Sequence, residues 1–204
     1  MNDDPSAPSA SPAVVLRSLV ASAVDADPAS LDDRVEVVER GAGATDAEDA
    51  AAPAERLVEL VAAADSVVAV VPRFDADLAR RLDASLSSPE TDSAPDDSVA
   101  DDPEDAANVP SEVRIVFAGA ASDRLTGATG PVVRRALADR GIDAYRHGGG
   151  SPVTVALAGD RVAVGLTDGD GISALLWTDA PAVREWAAAT CRRYLDAAEP
   201  VTEG

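Results

Sequence analysis

The chain has 204 residues and a mass of 20.7 kDa, the size of one ordinary domain, and its 46% hydrophobic content supports a packed core and excludes wholesale disorder. It carries 37 acidic residues against 17 basic ones, net −20, and every basic residue is arginine. Without lysine there is no P-loop lysine, Schiff base, kinase lysine or Ser-Lys dyad, and one His with one Cys supplies neither a zinc ligand set nor a disulfide.

The charge is unevenly placed. Residues 1–110 hold 25 acids and 7 arginines, net −18, whereas residues 111–204 hold 12 acids and 10 arginines, net −2. An acidic, arginine-only, alanine-rich chain reads as halophilic adaptation, because acidic surface charge keeps a protein hydrated and apart from its neighbours at high salt. No basic face is long enough to neutralise several phosphates, so direct nucleic-acid binding is not expected. Met1–Ser11 has no basic, apolar leader pattern and no apolar stretch reaches membrane-spanning length, so the expectation is a cytoplasmic protein without a membrane partner.

In chain order, residues 1–11 are Pro/Ser/Asp-rich and read as a disordered tail. Pro12–Val24 reads as a helix with Val15, Leu16, Leu19, Val20 and Ala23 on one face and Pro12 in its first turn. Ala29–Asp33 adds a turn, Arg34–Glu39 a short strand and Gly41–Pro53 an acidic connector. Residues 12–53 are thus one short helix and strand with a connector, a candidate remnant of a DNA-binding fold.

Residues 54–201 read as a single α/β domain. Ala54–Ala64 is a helix with Leu57, Leu60, Val61 and Ala64 inward, and Ser66–Val71 is an apolar run that marks a strand buried on both faces. Pro72 stops it, and Asp75–Ala84 is a further helix. Residues 86–110 carry eight acids, no bases and four prolines, a disordered acidic insertion. Val113–Ala118 is the next buried strand, Ser122–Leu125 a helical turn, and Gly130–Arg140 a helix closed by Gly141. Ile142–Arg146, Val153–Ala158, Arg161–Thr167 and Ile172–Trp177 are strands, the last three a meander turning at Gly159-Asp160 and Asp168–Gly171. A terminal helix over Asp179–Ala198 carries Val183, Trp186, Thr190, Cys191, Tyr194 and Ala198 as its stripe. The fold class is an α/β sandwich with a mixed sheet, βα units followed by a β-meander and a C-terminal helix packed on it.

Candidate site residues follow from the topology. Ligands of open α/β sheets bind outside the carboxyl ends of the parallel strands. If Ser66–Val71, Val113–Ala118 and Ile142–Arg146 are parallel neighbours, those ends bring Arg73, Phe74, Ser122, Asp123, Arg146 and His147 to one rim. His147 is the one candidate general base, and its simpler reading is a solvated loop residue. Trp177 either stacks on a ligand or, with Trp186 and Tyr194, anchors the last helix to the sheet. Cys191 reads as a buried structural thiol. Gly127–Gly130 reads as a turn rather than an anion loop. Asp168–Gly171 is a hairpin turn, since Ile172 breaks the calcium-loop pattern. Each adjacent arginine pair (80/81, 134/135, 192/193) is expected to split between solvent and an acid. No metal and no cofactor is expected.

One run carries a family resemblance. "ALAGDRVAVGLTDGDGISALLWTDAPAVREWAAATCRRYLDAAEPV", Ala156–Val201, resembles the closing run of the effector-sensing middle domain of archaeal winged-helix regulators of the methanogenesis regulatory protein family. That domain is similar to the phospholipase D-like domain of TrmB-type regulators. Thr178, Asp179, Trp186 and Tyr194 hold the family's Ser/Thr-Asp, central Trp and late Tyr. "AERLVELVAAADSVVAVVPRFDADLARRL" resembles its opening helix–strand–helix. Two departures stand out: residues 1–53 are too short and acidic for an intact winged helix, and the histidine-x-lysine signature of phospholipase D enzymes cannot occur without lysine. The resemblance implies a phospholipase D-like fold and a non-catalytic sensing or protein-interaction domain, without its own DNA-binding module. Its expected partners are a small-molecule effector, a DNA-binding regulator protein and a second copy in a homodimer. The alternatives are a DNA-binding regulator with a degenerate helix-turn-helix in 12–40, and a small-molecule enzyme using His147.

Overall fold

The computed structural model describes residues 10–31, 34–41, 47–87, 110–169 and 171–201. The expected tail and acidic insertion lie outside these residues, apart from Ala10, Ser11, Leu86, Ser87 and Pro110.

Ser11 caps α1 (Pro12–Ala23), its side chain accepting from the Val14 amide. The single turn α2 (Pro28–Leu31) leads to β1 (Glu36–Glu39). Then come α3 (Ala47–Ala62), β2 (Ser66–Val71), α4 (Ala76–Ser87) and β3 (Glu112–Phe117). Two short helices, α5 (Gly119–Thr126) and α6 (Gly130–Ala138), lead to β4 (Ile142–Arg146). The meander β5 (Thr154–Ala158), β6 (Arg161–Asp168) and β7 (Gly171–Thr178) feeds α7 (Pro181–Asp196) and the short β8 (Glu199–Pro200).

The eight strands of the described residues form one mixed sheet, in the order β1-β7-β6-β5-β2-β3-β4-β8. β2, β3 and β4 are parallel neighbours and every other pairing is antiparallel. The apolar run of β2 sits between β3 and β5, with a hydrophobic cluster on each of its faces.

Strand alternation sorts the core into two sides. On one, Leu16 and Val20 of α1 and Val183, Ala187 and Cys191 of α7 cover Val70, Val116, Val155, Val164 and Leu176. On the other, Leu57, Leu60 and Val61 of α3 cover Val67, Ala69, Ala156, Leu175 and Trp177, while Leu125 of α5 joins Phe117. The result is three layers, helix–sheet–helix.

Several boundaries differ from the sequence reading. α3 begins at Ala47, ahead of Pro53, because the alanine-rich run before the proline holds helical geometry despite the lost amide. The turn expected at Ser122–Leu125 is a full helix, α5, that starts directly off β3. α7 starts at Pro181, since Thr178 is used elsewhere: its hydroxyl donates to Arg34 O at 2.6 Å and accepts from the Ala180 amide at 3.0 Å. β8 was not foreseen. Residues 12–31 and 34–39 belong to the same sheet and core as the α/β domain: β1 pairs with β7, and Leu16 and Val20 are fully buried.

Candidate functional site

Helix α4, between β2 and β3, and helices α5 and α6, between β3 and β4, pack on the α3 side of the sheet. The chain must then return from β4 to β5, which lies beyond β3 and β2. That path crosses three strand spacings, about 14 Å. The loop 147–153 makes it and therefore lies across the carboxyl ends of β3 and β2.

A left-handed glycine makes the turn out of β3 beneath this loop. Gly119, at φ +51°, leads out of β3 and donates its amide to Gly149 O at 3.0 Å. A β-carbon on Gly119 would stand 3.7 Å from Gly150 Cα and 3.5 Å from Pro72 O. The His147 amide continues the β4 ladder to Phe117 O at 2.9 Å. Tyr194 of α7 fastens the loop from the other side: its hydroxyl donates to Gly150 O at 2.8 Å, and its ring lies 4.7 Å from the His147 ring, tilted by 51°. The Gly149 amide donates to His147 Nδ1 at 2.9 Å, and Gly149 O lies 3.3 Å from the same nitrogen.

The three parallel strands bring the six rim positions to one edge, and their side chains then divide. His147 points to the α7 side and Tyr194, with no carboxylate bonded to its ring among the described residues. Arg146 pairs with Glu199 of β8. Phe74 lies under the Arg124 guanidinium, 5.2 Å from ring centroid to Cζ. Ser122 is buried, whereas Arg73 and Asp123 are exposed.

Trp177 does not reach this edge. It lies five strands from β4 in the sheet order, on the α3 side, where Arg56 stacks over its indole at 4.6 Å. The expectation that it anchors the terminal helix is corrected: Trp186 and Tyr194 do so on the opposite face. The indole Nε1 and Arg56 Nε are buried without hydrogen-bond partners among the described residues.

Cys191 is buried on the inner face of α7, and its removal from water pushes the thiol up to about 11. Gly130 N donates to Gly127 O at 2.8 Å, so that segment is a turn. Among the adjacent arginines, Arg80 pairs with Asp77, Arg81 with Glu55 and Arg135 with Asp139, while Arg134 donates to Leu125 O.

An open pocket of about 490 Å³ lies elsewhere, at the opposite end of β2 from the rim, beside the first turns of α7. Ser66, Val68, Leu157, Arg184, Glu185 and Ala188 help to line it. Sequence reasoning missed this pocket because it joins positions far apart in the chain. It also missed the Tyr194 latch, for which the run Gly148–Gly150 was the available signal. Among the described residues, no helix is long and apolar enough to cross a membrane.

With this geometry in place, comparison with known proteins bears out the sequence resemblance. Residues 97–197 match the family model for the middle domain of the methanogenesis regulatory protein FilR1. Among solved structures, the chain is similar to Nuc of Salmonella typhimurium, a phospholipase D family member. The TM-score is 0.53 at 13% identity, covering 81% of this chain and 96% of that one, which shows a phospholipase D-like fold. TrmBL2, an archaeal chromatin protein whose structure shows a novel mode of DNA binding, aligns with a TM-score of 0.49 at 11% identity over 82% of this chain. The chain spans about half of TrmBL2, 54% of its length. No curated protein matches the sequence.

Proposed function

We propose that this chain, whose residues 97–197 match the middle domain of a methanogenesis regulatory protein, is a non-catalytic sensing module of a transcription regulator. That match is the observation that carries the reading. It binds a small-molecule effector at the rim and passes its state to a DNA-binding regulator protein, working as a homodimer in the cytoplasm. Arg73 supplies an exposed cation at the rim, His147 an imidazole, and Phe74, Asp123 and Arg146 the surrounding surface, with Ser122 buried beneath it. The triglycine loop is the element whose position an effector biases, because it lies between the rim and the Tyr194 latch.

Chemistry on the substrate is not part of this role. The chain has no lysine, and His147 is held by Gly149 and Tyr194 without a carboxylate among the described residues to orient it. Direct DNA binding through residues 12–40 is not favoured either. α1 spends its Leu16 and Val20 face on the sheet, and α2 is a single turn followed by a strand.

Two assays of the whole chain at high KCl test this reading. Turnover of bis(p-nitrophenyl) phosphate is expected to equal that of His147→Ala, and the chain alone is expected not to retard DNA fragments in a gel. Hydrolysis lost in His147→Ala, or retardation by the chain alone, overturns it. Light scattering should give twice the chain mass; a monomer mass removes the homodimer from the proposal.

A further inference from the structure

We infer that the open pocket between the first turns of α7 and the β2–β5 pair is a second ligand site, which takes a zwitterion with an apolar body, the chemistry of an apolar α-amino acid. The rim has no part in it: this pocket lies at the other end of β2.

The floor sets the apolar half of the ligand. Val68 of β2, Leu157 of β5 and Ala188 of α7 are each half-buried, so α7 leaves apolar surface on the two strands partly uncovered. Removing such surface from water favours an apolar occupant. The volume of about 490 Å³ falls within the range of small-molecule sites.

The mouth sets the polar half. Arg184 and Glu185 both line the pocket and both are exposed. Neighbouring residues on a helix do not face each other, so these two do not neutralise one another. Other arginines of this chain, such as Arg56, Arg81 and Arg140, reach a carboxylate. The Arg184 side chain reaches none among the described residues, and Glu185 no cation. A ligand carboxylate would meet the guanidinium in its forked, two-bond geometry, and a ligand ammonium would meet Glu185. Pro181 also lines the pocket, so the carboxylate would approach the first turn of α7, where the helix end favours negative charge. A ligand of zero net charge also avoids the repulsion that a chain of charge −20 exerts on an anion.

Calorimetric titration of the whole chain with leucine, valine and phenylalanine tests this. Two further probes keep the leucine-like body but only one charge each: 4-methylpentanoate and isoamylamine. At least one amino acid should saturate one site, and each single-charge probe should bind tenfold or more weaker than leucine if leucine is the amino acid bound. Arg184→Gln should weaken the amino acid at least tenfold with an unchanged melting midpoint, and Glu185→Gln should weaken it in the same sense. Arg73→Ala should leave this affinity unchanged, which separates the pocket from the rim. Absence of saturation by all three amino acids overturns the inference. So does binding that Arg184→Gln leaves intact, or that Arg73→Ala abolishes.

Discussion

Replacing Leu16 by alanine tests whether α1 is part of the core or an appendage to it. Leu16 is fully buried, in one cluster with Val20, Val164, Leu176 and Val183. The substitution removes buried methyl groups and leaves a cavity that β6, β7 and α7 cannot fill without moving. Changes of this kind cost about 2–5 kcal/mol, and about 3 kcal/mol is a fair expectation for a helix at one end of the sheet. For a domain of this length that lowers the melting midpoint by roughly 6–12 °C. Val14, on the same helix, is 50% exposed and provides the internal control, since Val14→Ala should stay within about 0.5 kcal/mol of the parent. Urea unfolding at fixed salt reads both as changes in transition midpoint at constant slope. If Leu16→Ala unfolds within about 0.5 kcal/mol of the parent, α1 does not pack as described, and the argument against a free DNA-binding segment falls with it.

Three other outcomes are expected. A β-carbon at Gly130 would sit 2.2 Å from Leu125 O and 2.8 Å from its carbonyl carbon, so Gly130→Ala must push α5 and α6 apart; it should cost about 1–3 kcal/mol by urea unfolding, and an unchanged midpoint would contradict the junction. Tyr194→Phe deletes the bond to Gly150 O and should cost about 0.5–1 kcal/mol, with several-fold faster amide exchange at Gly149; unaltered exchange would mean that Tyr194 does not latch the loop. Burial raises the Cys191 thiol from its ordinary 9.0 to about 11, so the folded state holds this proton more tightly than the unfolded one. Its contribution is therefore complete below pH 9 and lost as pH rises toward 11; the decline should be shallower in Cys191→Ala, and an identical decline would refute it.

Much of the sheet was legible because its central strands are short apolar runs with clear stops. β2 and β4 fall where the sequence places them, bounded by Pro72 and by Gly141 and the triglycine run. Parallel pairing of β2, β3 and β4 follows from the helices between them, and the structure has that pairing. The face of each side chain was not legible at Trp177. The segment Ala174–Trp177 is apolar at every position, so alternation cannot say which residues face α3 and which face α7. α3 was read too short because a proline is a strong stop signal that six residues of Ala-Glu-Asp composition before it outweighed. The loop's course over the strand ends depends on where β5 inserts, a long-range fact that local pattern does not contain.

The most direct test of the sensing role is the melting midpoint in high KCl against sugars, phosphates and carboxylates, measured on the parent chain, Arg73→Ala and His147→Ala. Binding to the folded state raises the midpoint by mass action, by about 2.7 kcal/mol of stability at one hundred times the dissociation constant. One chemical class should raise the midpoint of the parent and not of either variant. A shift that both variants keep, or no shift with any compound, contradicts effector binding at the rim.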